Sequence, residues 1–343
     1  MTGIAYCTRE QVQAALAQAD TYRTNARIDA AIRTGAQQVE AATHRRFYPT
    51  TCTRYPEQRC VTGPVLWLDA DYLEMISVSS FTVDGVELVE DTDFFLRPDD
   101  GPPYTSLKLI NTSSAGFSSD DRGMVLAGEQ GASNTTRAAG SLAGSITSSA
   151  TILTVSDSSL VGVGDLLTIG TERINVVGKT FTTSVTTLGA NADASAATRS
   201  ITVADGTLLH EGEFIQTGAE RMFIERIAGN VLTVRRAELG SQLSAHSTSD
   251  VVYAPRLLLV ERGATGSTAA SHSDAATILA NDPPALVKEA ALAYALVDLE
   301  QSKSAYGRVV GAGDNQMEAA GRGLDAIVKD LIAAHGRVRV GAA

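Results

Sequence analysis

Two stretches decide how this chain is read: Thr154–Arg173, TVSDSSLVGVGDLLTIGTER, and Thr202–Arg221, TVADGTLLHEGEFIQTGAER. They align without a gap. Thr154/Thr202, Val155/Val203, Asp157/Asp205, Leu160/Leu208, Gly164/Gly212, Gly170/Gly218, Glu172/Glu220 and Arg173/Arg221 are identical. Average residue frequencies would give about one or two matches over this length. A second echo runs from Leu232–Val252 to Leu258–Ile278, with Val234/Val260, Arg236/Arg262, Gly240/Gly266, Ser241/Ser267 and His246/His272 in register. Within both, apolar and polar residues alternate, as in Arg173-Ile174-Asn175-Val176, and glycines recur at turn positions. The pattern predicts small duplicated β units, too short to bury a face alone, packed on each other as a compact barrel or sandwich.

Outward from this repeat the texture changes on both sides. Toward the N-terminus lie short β-type runs: Val65–Leu68, Ile76–Val83, Val86–Val89, Phe94–Leu96 and Leu107–Ile110, with Asp84-Gly85 as a hairpin turn. Residues 111–150 are rich in Ser, Gly, Ala and Thr and read mostly as loop. Further upstream, Thr8 and Gln11 form a capping box for a short helix to about Gln18. A second helix is expected from about Asn25 to Arg45, its face lined by Ile28, Ala31, Ile32, Gly35, Ala36, Val39 and Ala42, small enough to admit another helix closely. Downstream, Asp282 as N-cap and Pro283 at the first position predict a helix bearing Val287, Ala290, Ala291, Tyr294, Val297 and Leu299. After a glycine-rich hinge (Gly307–Gly313), a last helix carries Met317, Ala320, Leu324, Ile327, Val328 and Leu331. The expected class is therefore α+β: a helical bundle from the N- and C-terminal helices, a small β-domain, and an inserted tandem-repeat β barrel or sandwich-like domain. The expected divisions are 1–60, 61–135, 136–280 and 281–343.

Composition narrows the function. The net charge of −11 argues against a groove that grips nucleic acid, though not against a surface DNA slides past. No stretch approaches the roughly 20 apolar residues that span a bilayer, and the N-terminus has no signal-peptide layout, so a soluble protein made in the cytoplasm, without membrane partners, is expected. Cys7, Cys52 and Cys60 read as buried free thiols, with a Cys52–Cys60 pairing across neighbouring strands as the alternative. Gly178-Lys179-Thr180 imitates the end of a phosphate-binding loop, but Arg173 stands where its first glycine belongs and a Thr-rich strand follows. His246 and His272, beside Ser247 and Ser273, read as duplicated turn histidines satisfying backbone groups rather than as catalysts. Asp91, Asp93, Asp99 and Asp100 lack the ligand spacing of a calcium loop. The expectation is a protein that is not an enzyme and takes no cofactor or metal.

The run Tyr6-Cys7-Thr8-Arg9-Glu10-Gln11-Val12, followed by a helix ending Val39-Glu40-Ala41-Ala42-Thr43-His44-Arg45-Arg46-Phe47-Tyr48-Pro49, resembles the head–tail connector (adaptor) proteins of siphophages. The stretches Val65–Leu68, Ile76–Val78, Phe81–Gly85 and Phe94–Pro98 look like the β-insert of larger members, and Arg262–Ser267 to His272 is similar to β units of many phage structural proteins. The long duplicated segment departs from the minimal connector. The resemblance implies a ring, commonly of twelve subunits, docked on the portal protein above a tail-side neck or stopper protein. Genomic DNA would pass through the lumen without sequence-specific binding. It places the protein in the virion neck, assembled in the host cytoplasm. The expected partner interface is the last helix and basic tail: Leu324, Ile327, Leu331, Arg337, Val338, Arg339 and Val340. For the tail, fraying and strand addition to a partner are both open readings. The alternative function is a virion decoration, tail-tip or host-surface-binding protein, against which the low aromatic content (5%) counts.

Overall fold

The computed structural model describes residues 3–16, 24–68, 74–111, 115–303, 309–310, 317–318 and 322–337. The chain begins with α1 (Arg9–Ala15), where Thr8 and Gln11 make the expected reciprocal cap. Next comes α2 (Asn25–Thr43), ended by His44 in the left-handed region. Then follow β1 (Thr50–Arg54), β2 (Val61–Thr62), β3 (Val65–Trp67), β4 (Met75–Val83), β5 (Val86–Leu88), β6 (Phe94–Arg97), β7 (Ser106–Leu109) and β8 (Met124–Gln130). They form two four-stranded antiparallel sheets, β1-β8-β4-β5 and β2-β3-β7-β6, around one core with Leu66, Phe81, Phe94, Leu107, Met124 and Leu126 at its centre. Alternation selects that core. Leu66 and Leu107 point inward, while Trp67 and Lys108 point out.

The repeat region holds the chain's central feature. After β9 (Thr136–Ser141), β10 (Ile152–Thr154), β11 (Leu166–Ile169) and β12 (Glu172–Thr180) come β13 (Thr183–Thr187), β14 (Ser200–Thr202), β15 (Phe214–Thr217), β16 (Glu220–Ala228), β17 (Val231–Arg235) and β18 (Val251–Ala254). Only then follow β19 (Leu257–Glu261) and β20 (Thr277–Asn281). The first sheet runs β10-β19-β12-β11-β20-β9; the second runs β13-β18-β15-β16-β17-β14. Read in reverse, the second order reproduces the first strand for strand. The registers agree as well, down to a bulge at Val176/Gly178 in one copy and Ile224/Arg226 in the other. Each sheet closes on itself, through Leu142 opposite Val155 and Leu188 opposite Val203, so the edge strands of both are paired. The molecule thus holds two equivalent six-stranded barrels, and barrel 2 (β13–β18) sits within the hairpin that joins β12 to β19 of barrel 1. The two echoes are halves of one repeat, split by this nesting.

The chain ends with α3 (Ala285–Lys303), a ribbon of β21 (Val309–Val310) and β22 (Met317–Glu318), and α4 (Arg322–His335). Three local expectations are corrected here. α3 begins two residues later than Pro283, and Asp282 receives the Lys288 ammonium at 2.6 Å instead of capping; the Pro283-Pro284 pair holds the entry extended. Met317 lies in the ribbon, not on the last helix. Ala320, much of the 307–313 hinge and Val338–Val340 fall outside the described residues.

The class itself is also corrected. Among the described residues the molecule is mostly β, with four antiparallel sheets of four to six strands against four α-helices, and the terminal helices do not make a bundle. The reason is what covers the apolar faces. α2 and α3 meet along one seam, and Leu331 of α4 is buried beside it. The rest of that core is closed by non-helical pieces: Ala5–Cys7, Phe47, and barrel 1, where Gly164 meets Ile32.

The seam depends on small residues. A Cβ at Gly35 would lie 2.5 Å from the Ala291 carbonyl oxygen, a backbone atom that can yield only if the helices part. Gly35→Val is therefore expected to cost roughly 1–3 kcal/mol by overpacking, read as a lower urea midpoint at unchanged slope. An unchanged midpoint would mean that the seam is not tight.

Candidate functional site

A constellation of ionisable groups repeated in both barrels lies at the first residue of β12 and of β16. Glu172 is fully buried. Arg262 grips it with two parallel bonds, Nε to Oε1 and Nη2 to Oε2, both 2.7 Å. The Gly263 and Ala270 amides donate to the same oxygens at 3.2 and 3.0 Å, and His272 Nε2 lies 2.8 Å from Oε2. Barrel 2 repeats this bond for bond. Arg236 reaches Glu220 at 2.7 and 2.8 Å, the Ala237 and Ser244 amides donate at 3.1 Å, and His246 Nε2 stands 2.8 Å from Oε2. Each Arg also fastens its own loop by donating to carbonyls: Thr147, Ala150 and Ala270 for Arg262; Asp193, Thr198 and Ser244 for Arg236.

Burial alone would raise these carboxyls, since it penalises charge. The hydrogen bonds from Arg262, the Ala270 amide, His272 and the Gly263 amide outweigh it and bring Glu172 down to about 2. Arg236, His246 and the Ser244 amide do the same for Glu220, also about 2. An ionised carboxylate only accepts, so Nε2 of each histidine carries the hydrogen and donates. This amends the expectation for the histidines: they satisfy a buried carboxylate, not backbone groups.

The arrangement has a definite chemical reading. Ser244 Oγ lies 3.5 Å from His246 Nε2, the same nitrogen that serves Glu220. A serine nucleophile needs its base and the orienting carboxylate on opposite ring nitrogens. Here both crowd one nitrogen, already committed as a donor. The clusters act as rivets, tying a loop to a barrel wall.

Two related positions differ between the copies. Arg173 is buried and crosses from barrel 1 to the first sheet, donating to Glu129 Oε1 at 2.5 Å, to Thr51 Oγ1 and to Thr265 Oγ1. Its counterpart Arg221 reaches only Gln216 at 3.3 Å and the Phe181 ring at 5.1 Å. Between the barrels, Glu213 is fully buried and accepts from Ser158 and Arg256.

The residues expected to form a partner interface lie as follows. Leu331 is buried in the helical core; Ile327 packs against it, and Leu324 is half-buried. The Arg337 amide donates to the Thr43 carbonyl at 3.1 Å, and its guanidinium pairs with buried Glu74. Val338, Arg339 and Val340 fall outside the described residues. The structure thus brings Ile327 and Leu331 together in an internal contact and puts Arg337 in a separate one. On the outer face of α4, Ile332 is 46% exposed. Lys179, of the phosphate-loop imitation, caps the Ser158 and Val161 carbonyls at 2.8 and 2.5 Å from within a strand. Among the described residues no group of three or more His, Cys, Asp or Glu is placed to hold a metal ion, and no helix is long and apolar enough to cross a membrane.

The Glu–Arg–His grouping was missed as a unit in the sequence. The signal was present: all three residues recur in both echoes, but no spacing rule links Glu172 to residues about 90 positions away. No protein-family model, curated protein or solved structure matches this chain.

Proposed function

We propose that the chain is a structural subunit of a tailed-phage neck. In this reading copies assemble as a ring, commonly of twelve, that docks on the portal protein, meets a tail-side neck or stopper protein, and lets genomic DNA pass without sequence-specific contact. The observation that carries it is the use made of buried ionisable groups. Glu172, Glu220 and Glu213 are sealed, fully hydrogen-bonded and spent on fastening loops and barrels. A scaffold needs such groups for rigidity; an active site would leave one of them open to substrate. The layout supports the same reading. The end of α2 and the residues just after α4 meet where the Arg337 amide donates to the Thr43 carbonyl, so the barrels and the small β-domain leave from and return to one helical base. The net charge of −11 suits a lumen that repels phosphates.

The test is mass photometry of the purified protein alone and with portal rings, backed by negative-stain images. A stoichiometric ring seated on portal is the expected result. Monomers or trimers that ignore portal and label the virion surface or tail tip would sink it in favour of a decoration or host-binding protein.

A further inference from the structure

The two barrels are equivalent in backbone, yet among the described residues one face is covered in the first and open in the second. In barrel 1 the turn before β11 receives the N-terminal segment that leads into α1. The Arg9 amide donates to the Val163 carbonyl at 2.9 Å, and Glu10 accepts from the Val163 amide at 2.9 Å. The approach requires a bare Gly164. A Cβ there would stand 3.1 Å from the Cys7 carbonyl oxygen and 3.2 Å from Ala5 Cβ. Leu166 and Asn175, on the strands beside it, are consequently 2% and 4% exposed.

The matching positions in barrel 2 are Gly212, Phe214 and Phe223, in the same register. The turn keeps its hydrogen bonds: Gly164 to Val176 in one copy, Gly212 to Ile224 in the other. Among the described residues nothing fills the face. The nearest atom to a Cβ at Gly212 is Ser159 Cβ at 3.6 Å, and both phenylalanines are half-exposed. They form one wall of a cleft of about 970 Å³, whose opposite wall is α1 at Gln13 and Ala14. The chemistry of that wall differs from its counterpart in the direction of an interface. Buried Leu166 and Asn175, with exposed Glu261 beside them, are replaced by an aromatic pair 5.1 Å apart, with Arg235 stacked 4.5 Å over the Phe223 ring. Aromatic and Arg side chains are the groups enriched where proteins dock.

We propose that this cleft is a docking groove for a short segment of a partner protein, placing a small side chain against Gly212 and an apolar one over Phe214 and Phe223. The occupied groove of barrel 1 supplies the geometry. The segment would run as Ala5–Arg9 runs there, giving a backbone amide to the Glu211 carbonyl as Arg9 gives one to Val163. The inference stands apart from the ring reading, since it rests on the likeness of the barrels alone.

The probe is a fluorescently labelled peptide of residues 3–10, GIAYCTRE, titrated into the full chain and followed by anisotropy. Saturable binding is expected, weakened about tenfold or more by Phe223→Ala, a loss typical of an interface anchor. Because Phe223 is half-exposed, circular dichroism and the thermal midpoint of that variant should match the parent. No saturation up to about 1 mM, or equal binding by parent and Phe223→Ala, would overturn the proposal. So would sedimentation showing that the chain self-associates through Phe223, which makes the groove a contact between copies. Portal is absent from the assay, so its outcome is independent of ring assembly.

Discussion

Glu220→Gln is expected to remove about 3–5 kcal/mol of stability, and Glu172→Gln a similar amount. Each substitution leaves a guanidinium, Arg236 or Arg262, almost wholly buried without its counter-charge. Glu220→Gln can also remove the oxygen to which the buried His246 and the Ser244 amide donate. The attraction within the pair is not the main loss; the stranded partner is. Replacing Glu220 and Arg236 together by apolar residues of similar size should therefore cost less than Glu220→Gln alone. Urea unfolding of the single and double variants measures this, and a single-variant loss below about 1 kcal/mol would show the rivets to be decorative. The same clusters set an acid dependence. Both carboxyls sit at about 2 in the folded state against an ordinary 4.5, so their contribution is complete above about 4.5 and disappears as the pH falls toward 2. The thermal midpoint should drop steeply across that window, and less so in the double replacement.

Phe47→Ala should cost a further 3–5 kcal/mol, roughly, in a different part of the molecule. Phe47 is 1% exposed and lies edge-on to Tyr6 at 5.9 Å and to His335 at 5.5 Å. Its amide donates to the Tyr6 hydroxyl, which in turn donates to Glu40. One ring thus joins the N-terminal segment, the end of α2 and the last turn of α4. Truncation leaves a cavity that none of the three can close alone. Loss of stability with weakened protection of α4 amides in hydrogen exchange is the expected result. A uniform loss across the molecule would place Phe47 in the general core rather than at this junction.

How far the sequence was legible depends on which property fixes each part. Alternation and turn glycines identify the barrel strands, and the Thr8–Gln11 box marks α1, because those signals are local. The nesting was not legible as such. One half of the repeat recurs at an offset of 48, as from Glu172 to Glu220, and the other at 26, as from Arg236 to Arg262, so they read as two separate duplications. Only the pairing of β12 with β19 across barrel 2 unites them. The helical expectation failed for a related reason. Periodicity along α2 establishes an apolar face but not its cover, and part of that cover is the glycine turn of a barrel. The docking cleft was invisible for the same cause, since Phe214 and Phe223 look like ordinary strand residues until their buried counterparts are known.

The nested barrel also dictates a schedule. During synthesis the first four strands of barrel 1 leave the ribosome and then wait for β19 while Phe181–Arg256 is made, a pause of about 4–15 s at roughly 5–20 residues per second. In that interval β12 offers an unpaired edge of a register that β17 matches as well as β19 does. A wrong pairing would braid the two copies together. The guard is proximity: β17 follows β16 after a single Gly229-Asn230 turn and closes in microseconds, long before β19 exists. The inner copy finishes first, and the outer one closes around a completed guest.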